Sequence, residues 1–234
     1  MSITYSRRHA LWLSAGLLVA CRDRQGAQDA SAAIPPPPAP YGLPPTPAPP
    51  PSAAAPVVTD GATPSCIETH ANIEGPYYRA GAPLRANLLD PGVAGTPLDI
   101  EGRVMGLDCS RGLQNVELDV WHATTDGHYD NDGTMHLGKE RYLLRGRIRT
   151  DGEGRYRVST IVPGRYLNGP QYRPAHVHVK VRAAGFAELT TQLYFPGDPY
   201  NDVDPFIHRS LVMGVEKTRE RMLGHFDFVL RNAS

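Results

Sequence analysis

The chain has 234 residues, 24 Lys+Arg against 24 Asp+Glu, and 41% hydrophobic residues. Balanced charge without a basic cluster excludes a groove that tracks phosphates and a surface held to anionic lipid by its own field. The length suits one domain plus extra segments, and the 23 prolines and 23 glycines are spread unevenly enough to show where those segments lie.

Residues 1–21 read as an export signal. Arg7 and Arg8 form a positive start, and Leu11 to Ala20 form an apolar run too short to cross a bilayer. Ser6-Arg7-Arg8 ahead of that run resembles a twin-arginine signal; a plain Sec signal, or a start codon placed too far upstream, is the alternative. Leu18-Val19-Ala20-Cys21 resembles a lipobox, in which Cys21 is lipidated and becomes the mature N-terminus. The expectation is a periplasmic or cell-surface lipoprotein, anchored to the membrane rather than spanning it.

Residues 22–60 are rich in alanine and proline, and Pro35 to Pro56 holds 12 prolines. Such chain prefers extended polyproline II and buries too little apolar area to order itself, so it reads as a disordered, semi-rigid stalk. A ligand for a proline-recognising partner is the other reading. Residues 61–234 form the globular part, with Cys66 and Cys109. Outside the cytoplasm two cysteines pair more often than not, so a Cys66–Cys109 disulfide is expected over a reactive thiol.

In the globular part, period-2 alternation dominates. Asn115 to His122 sets Val116, Leu118 and Val120 on one face and Glu117, Asp119 and Trp121 on the other. Strands are predicted over Leu98–Met105, Arg141–Arg149, Arg155–Val162, His176–Arg182, Leu189–Phe195 and His225–Leu230. Turns at Asp151-Gly152-Glu153-Gly154, Pro163-Gly164 and Pro196-Gly197-Asp198-Pro199 separate them. The predicted class is all-β, a sandwich of mostly antiparallel strands. Residues 208–223 carry a weak helical pattern, weakened further by Gly214 and two valines.

His176 and His178 lie two apart on a predicted strand, so both imidazoles point to one face and can reach one metal. Strand geometry alone leans toward a solvated polar face, because Lys180 continues the series. A cupin-type site needs a glutamate four or five residues after the second histidine, where Arg182 and Ala183 stand. Zinc or copper stays open on spacing, with His122, His128 and Asp126 as possible further donors.

The surrounding motifs decide more. Glu74-Gly75-Pro76-Tyr77-Tyr78, Asp119-Val120-Trp121-His122 and Gly127-His128-Tyr129 come first. Pro163-Gly164-Arg165-Tyr166, Asn168-Gly169-Pro170, Arg173-Pro174-Ala175-His176-Val177-His178 and Thr191-Gln192-Leu193-Tyr194-Phe195-Pro196-Gly197-Asp198-Pro199 follow in order. Together, over about residues 64–230, they resemble the intradiol ring-cleavage dioxygenases. The likeness is drawn nearer to the protocatechuate 3,4-dioxygenase type, since no helical dimerisation segment precedes the strands.

The resemblance implies Tyr129, Tyr166, His176 and His178 as ligands of Fe(3+), anionic phenolate oxygens being hard donors that favour the ferric ion. It implies a catechol-type diol and O2 as substrates, and ring cleavage between the two hydroxyls to a muconate-type product. Tyr166 would yield its place to the diol and take up a proton. Arg173 would stabilise developing negative charge, with Gln192 as a supporting hydrogen-bond donor. Departures stand at Leu167 and Asn168, where the protocatechuate type has an aromatic and a basic residue, so no preference for a carboxylated catechol carries over. Tyr77, Arg79 and Tyr172 are candidate rim residues. A catalytically silent binding lipoprotein is the competing class, and assembly, a homo-oligomer included, is left open.

Overall fold

In the computed structural model the described residues are 66–234. The expected export signal with Cys21 and the linker over 22–60 lie outside them. The strands are β1 (Pro97–Gly106), β2 (Glu117–His122), β3 (Arg145–Arg149), β4 (Arg155–Ile161), β5 (Tyr166–Asn168) and β6 (Gln171–Arg173). They continue with β7 (His176–Arg182), β8 (Leu189–Tyr194), β9 (Gly214–Lys217), β10 (Met222–His225) and β11 (Phe228–Leu230).

One sheet is centred on β1. Antiparallel β4 flanks it on one side; parallel β10 and then parallel β11 flank the other, with β9 beyond β10. The other sheet is antiparallel throughout, in the order β3-β2-β7-β8. Leu98, Ile100, Val158, Met222 and Phe228 of the first share a buried core with Leu118, Val120, Val177, Val179 and Leu193 of the second. This is the expected sandwich, and each fully buried aliphatic side chain stabilises it by about 1.5–3 kcal/mol.

His122 joins the sheets. Its Nδ1–H donates to the Ala123 carbonyl at 2.7 Å, so Nε2 accepts from the Thr160 hydroxyl of β4 at 2.6 Å. Burial pushes its pKa down to about 4. It therefore faces the core rather than a metal, and the suggestion that it could supply a zinc ligand fails. In the unfolded chain this imidazole protonates near pH 6.5 while the folded one stays neutral. Its contribution is thus present above pH 6.5 and is lost as pH falls toward 4, about 3 kcal/mol across that window. His122→Gln is expected to flatten this acid limb in urea titrations at a series of pH values.

Three expectations about elements change. The strand predicted from Arg141 starts only at Arg145, because Arg141 N–H closes a turn on Gly138 O at 2.9 Å and Leu144 takes a φ of 52°. The helical pattern over 208–223 yields a single 3-10 turn, Arg209–Leu211, followed by β9 and β10; Gly214 and Val215 pair across the ladder to β10 instead. The strand predicted over 225–230 breaks at Phe226-Asp227, where β1 exchanges β10 for β11 as its neighbour.

The outer face of the second sheet is also dry. His176, His178, Lys180 and Gln192 are 7% exposed or less, which overturns the solvated-face reading. An N-terminal arm covers them. Asn72 N–H bonds Thr190 O, the Thr191 hydroxyl bonds His70 O, and Gln192 Nε2 donates to Ile73 O, all at 2.8 Å. The expected Cys66–Cys109 disulfide ties this arm to the turn after β1, with a Cα–Cα distance of 5.7 Å and 43 residues of sequence separation. Closing a loop of that length in the unfolded chain stabilises the fold by about 4 kcal/mol.

Candidate metal centre

Strand register builds half of the site. Arg145, Trp121, His178 and Gln192 stand in one row across β3, β2, β7 and β8, and His176 stands beside Tyr194 in the next. Trp121 stacks flat on His178, with centroids 4.7 Å apart and planes within 6°.

Loops bring the phenols. Tyr129 sits in the loop after β2, and Tyr166 opens β5, which hairpins onto β6 across Gly169-Pro170. The two loops meet at Gly127 (φ 82°), where a Cβ would lie 2.2 Å from Arg165 O. Any side chain there would push the phenols apart. Gly75 (φ 73°) does the same for the arm, which passes close enough that a Cβ would lie 3.3 Å from His178 Cε1.

The four predicted residues close a circuit of rings. Centroids are 5.7 Å apart for Tyr129 and Tyr166, 5.5 Å for Tyr166 and His176, 4.8 Å for the two histidines, and 6.2 Å for His178 and Tyr129. His176 Nδ1–H donates to Pro174 O at 2.7 Å, which fixes the tautomer and leaves Nε2 as a lone-pair donor. Burial, reinforced by the Arg173 charge, holds His176 down at about 3, and burial takes His178 well below its ordinary value. Both imidazoles are therefore neutral, the ligating form.

Tyr129 Oη, His176 Nε2 and His178 Nδ1 are buried without a hydrogen-bond partner among the described residues. Such orphaned atoms cost about 1–3 kcal/mol each. Three on adjoining rings fit a bound cation, and phenol oxygens with neutral imidazoles fit one of high charge. Burial raises both phenols, Tyr129 well above 10.0, and the nearby Arg173 pulls Tyr166 partly back. Among the described residues no group of three or more His, Cys, Asp or Glu is placed to hold a metal. His128 is exposed and paired with Asp132 at 3.2 Å, and Asp126 is exposed, so neither joins the histidines.

Arg173, 4% exposed, donates from Nε to Asp204 at 2.8 Å and from one terminal nitrogen to Gln192 Oε1 and Tyr194 Oη at 2.9 and 3.1 Å. Phe206 packs under its guanidinium at 4.8 Å. Gln192 holds Arg173 through its carbonyl, and its NH2 donates to the Ile73 carbonyl; the donor role predicted for it is thus directed at the arm. Tyr77 stacks on Tyr129 at 4.4 Å and meets Tyr166 edge-on. Arg79 is bound to Asp130 and to the Lys139 and Arg141 carbonyls, and Tyr172 packs on Tyr200 at 5.6 Å. Tyr77 alone of the three rim candidates touches a circuit ring in these contacts.

Sequence reasoning missed the charged supports: Asp204 under Arg173, and Asp198, which binds Arg165 and the Ala175 N–H and so joins the Tyr166 segment to the histidine strand. Both precede prolines and read only as turn residues.

A sequence profile of the family described as "Dioxygenase" matches residues 73–234, more than half of the chain. The chain belongs to the intradiol ring-cleavage dioxygenases. It is 37% identical over 156 residues to a chlorocatechol 1,2-dioxygenase of Cupriavidus pinatubonensis, covering 60% of this chain and 57% of that one. A catechol 1,2-dioxygenase 2 of Acinetobacter lwoffii is 38% identical over 165 residues, covering 63% and 56%. The chain thus spans under two thirds of these relatives' length. Among solved structures, the dioxygenase domain of a dioxygenase–carbohydrate-binding fusion from Streptomyces sp. SirexAA-E has 39% identity and a TM-score of 0.63, over 71% of this chain and all of that one. A 3-chlorocatechol 1,2-dioxygenase from Rhodococcus opacus has 30% identity and a TM-score of 0.65, over 70% and 73%. Three of these four are named for catechol or chlorocatechol and the fourth for no substrate, so they lend no weight to the expected nearness to the protocatechuate type.

Proposed function

We propose that the chain binds iron(III) through Tyr129, Tyr166, His176 and His178 and cleaves a catechol-type diol, with O2, between its two hydroxyls. One observation carries this: two phenols and two neutral imidazoles form a closed circuit, buried except at the half-buried Tyr166, in which three ligand-type atoms lack a hydrogen-bond partner among the described residues. Bound ferric iron would act as a Lewis acid that holds the diol oxygens and makes the ring reactive toward O2. The residues supply the rest. Tyr166, less buried than Tyr129, sits beside Arg173 and is suited to take a diol proton at Oη. Arg173, locked by Asp204, Gln192 and Tyr194, stabilises negative charge on the opening ring, and the arm over His178 excludes water. Tyr129 and Tyr166 must each lose a proton to ligate, so metal uptake releases protons and strengthens with rising pH.

Metal analysis, the visible spectrum and O2 uptake with catechol, protocatechuate and hydroxyquinol test the reading. Stoichiometric iron, a broad tyrosinate band and diol-dependent O2 uptake are expected. A colourless, folded protein that stays inactive after iron(III) reconstitution, or one carrying zinc or copper instead, would overturn it.

We also propose that the enzyme works outside the cytoplasm, tethered through Cys21. The Cys66–Cys109 disulfide supports an oxidising compartment, and among the described residues no helix is long and apolar enough to cross a membrane. Cys21→Ser is expected to end labelling by palmitate and to release the protein from membranes; unchanged membrane retention and labelling would refute the tether.

A further inference from the structure

The four circuit residues are not held alike. His176 has its own hydrogen bond to Pro174 O, His178 lies under Trp121, and Tyr166 belongs to a hairpin strand. Tyr129 has none of these. Its hydroxyl is unpartnered among the described residues, its ring is held by stacking on Tyr77, and its backbone lies in a loop. The position of Tyr129 therefore depends on what fastens that loop to the sheet.

Arg145 fastens it. This arginine stands on β3 directly across from Trp121, in the row that continues to His178, and is 1% exposed. Its Nε donates to Asp130 Oδ1 at 2.8 Å, and one terminal nitrogen reaches the same oxygen at 2.6 Å and Asn131 Oδ1 at 2.8 Å. Asp130 and Asn131 are the two residues after Tyr129. The other Asp130 oxygen takes Arg79 at 2.8 Å and the Leu143 N–H at 3.1 Å. A fully buried ion pair is a poor device for stability, because desolvation of both charges offsets most of the attraction. What this one supplies is placement: a rigid fork that grips two successive residues and joins the loop carrying one phenol to the strands carrying the imidazoles.

We propose that Arg145 is a positioning residue for the metal centre, which sets Tyr129 against the histidines through its double grip on Asp130 and Asn131. The proposal rests on the ferric site proposed above. The lysine variant separates fork from charge, since an ammonium can keep the ion pair with Asp130 but cannot span both oxygens in one plane. Asn131→Ala removes the second grip alone, at an exposed residue, and so leaves the fold measurable if Arg145→Lys does not fold.

The test uses the iron-loaded full chain, with Arg149→Lys, on the exposed end of the same strand, as control. Arg145→Lys is expected to lower iron retention under chelator competition at least 10-fold and to shift or weaken the tyrosinate band. Asn131→Ala should do so several-fold, and the control should change neither. In the metal-free protein with ring-labelled tyrosine, both variants should move the Tyr129 signals, which feel the Tyr77 ring current, and spare those of Tyr156. Unchanged iron retention, band and Tyr129 signals in a folded Arg145→Lys protein would overturn the proposal. Should the parent protein carry no iron or band, the ferric reading fails, while the Tyr129 signals still decide whether Arg145 places that ring.

Discussion

Tyr129→Phe is expected to yield a protein that is at least as stable as its parent without metal and that has lost iron binding and turnover. The two halves have one cause. Tyr129 is 1% exposed, and its hydroxyl is buried with no partner among the described residues. Deleting that oxygen breaks no hydrogen bond and relieves a desolvation cost of about 1–3 kcal/mol, so the metal-free melting temperature should hold or rise. The ring keeps its contact with Tyr77 at 4.4 Å, and the loop stays where Asp130 fixes it. In the loaded protein the same change removes a hard anionic donor. Iron affinity should fall by about 100-fold or more, the visible band should change, and turnover should drop in step. Calorimetry of the metal-free pair, beside iron content after dialysis, reads both effects. A variant that loses metal-free stability and keeps its iron would show the hydroxyl to be a structural group.

The sequence showed the strands plainly where one face of each is apolar. Val116, Leu118 and Val120, or Val177, Val179 and Val181, leave no other face for the core, so register follows from period. It was silent about the opposite face. Whether His176, His178 and Lys180 meet water depends on an arm about a hundred residues earlier in the chain, which offers β8 its own backbone N–H and C=O groups, and those carry no signal in residue type. The phenols were legible only through the ordered motifs, since a tyrosine in a loop looks the same whether it lines a pocket or caps a surface. Their supports were hidden for a related reason. Asp130, Asp198 and Asp204 sit in turn-rich stretches where aspartate is common, and only the fold shows that Arg145, Arg165 and Arg173 reach them. The failed helix over 208–223 belongs here too, because β10 is a strand by virtue of lying beside β1, a contact that local propensity does not contain.

Arg173 carries the second large effect, and its surroundings allow chemistry and architecture to be told apart. Arg173→Met removes the cation, leaves Asp204 buried at 5% exposure without its partner, and should cost about 3–5 kcal/mol of stability. Turnover should fall about 100- to 1000-fold, the range for loss of one preorganised stabiliser of developing charge. Iron content should remain, because the four ligands proposed here do not include it. The fall alone is ambiguous, since a destabilised site also works poorly. Adding Asp204→Asn removes the stranded charge and keeps an oxygen for the Phe206 N–H, which now bonds Asp204 Oδ1 at 2.7 Å. The double variant should therefore recover most of the lost stability, as paired removals do when single ones do not. Its turnover should stay at the level of the single variant. If activity instead returned along with stability, Arg173 would be one half of a structural ion pair, and the charge that stabilises the opening ring would have to come from elsewhere in the site.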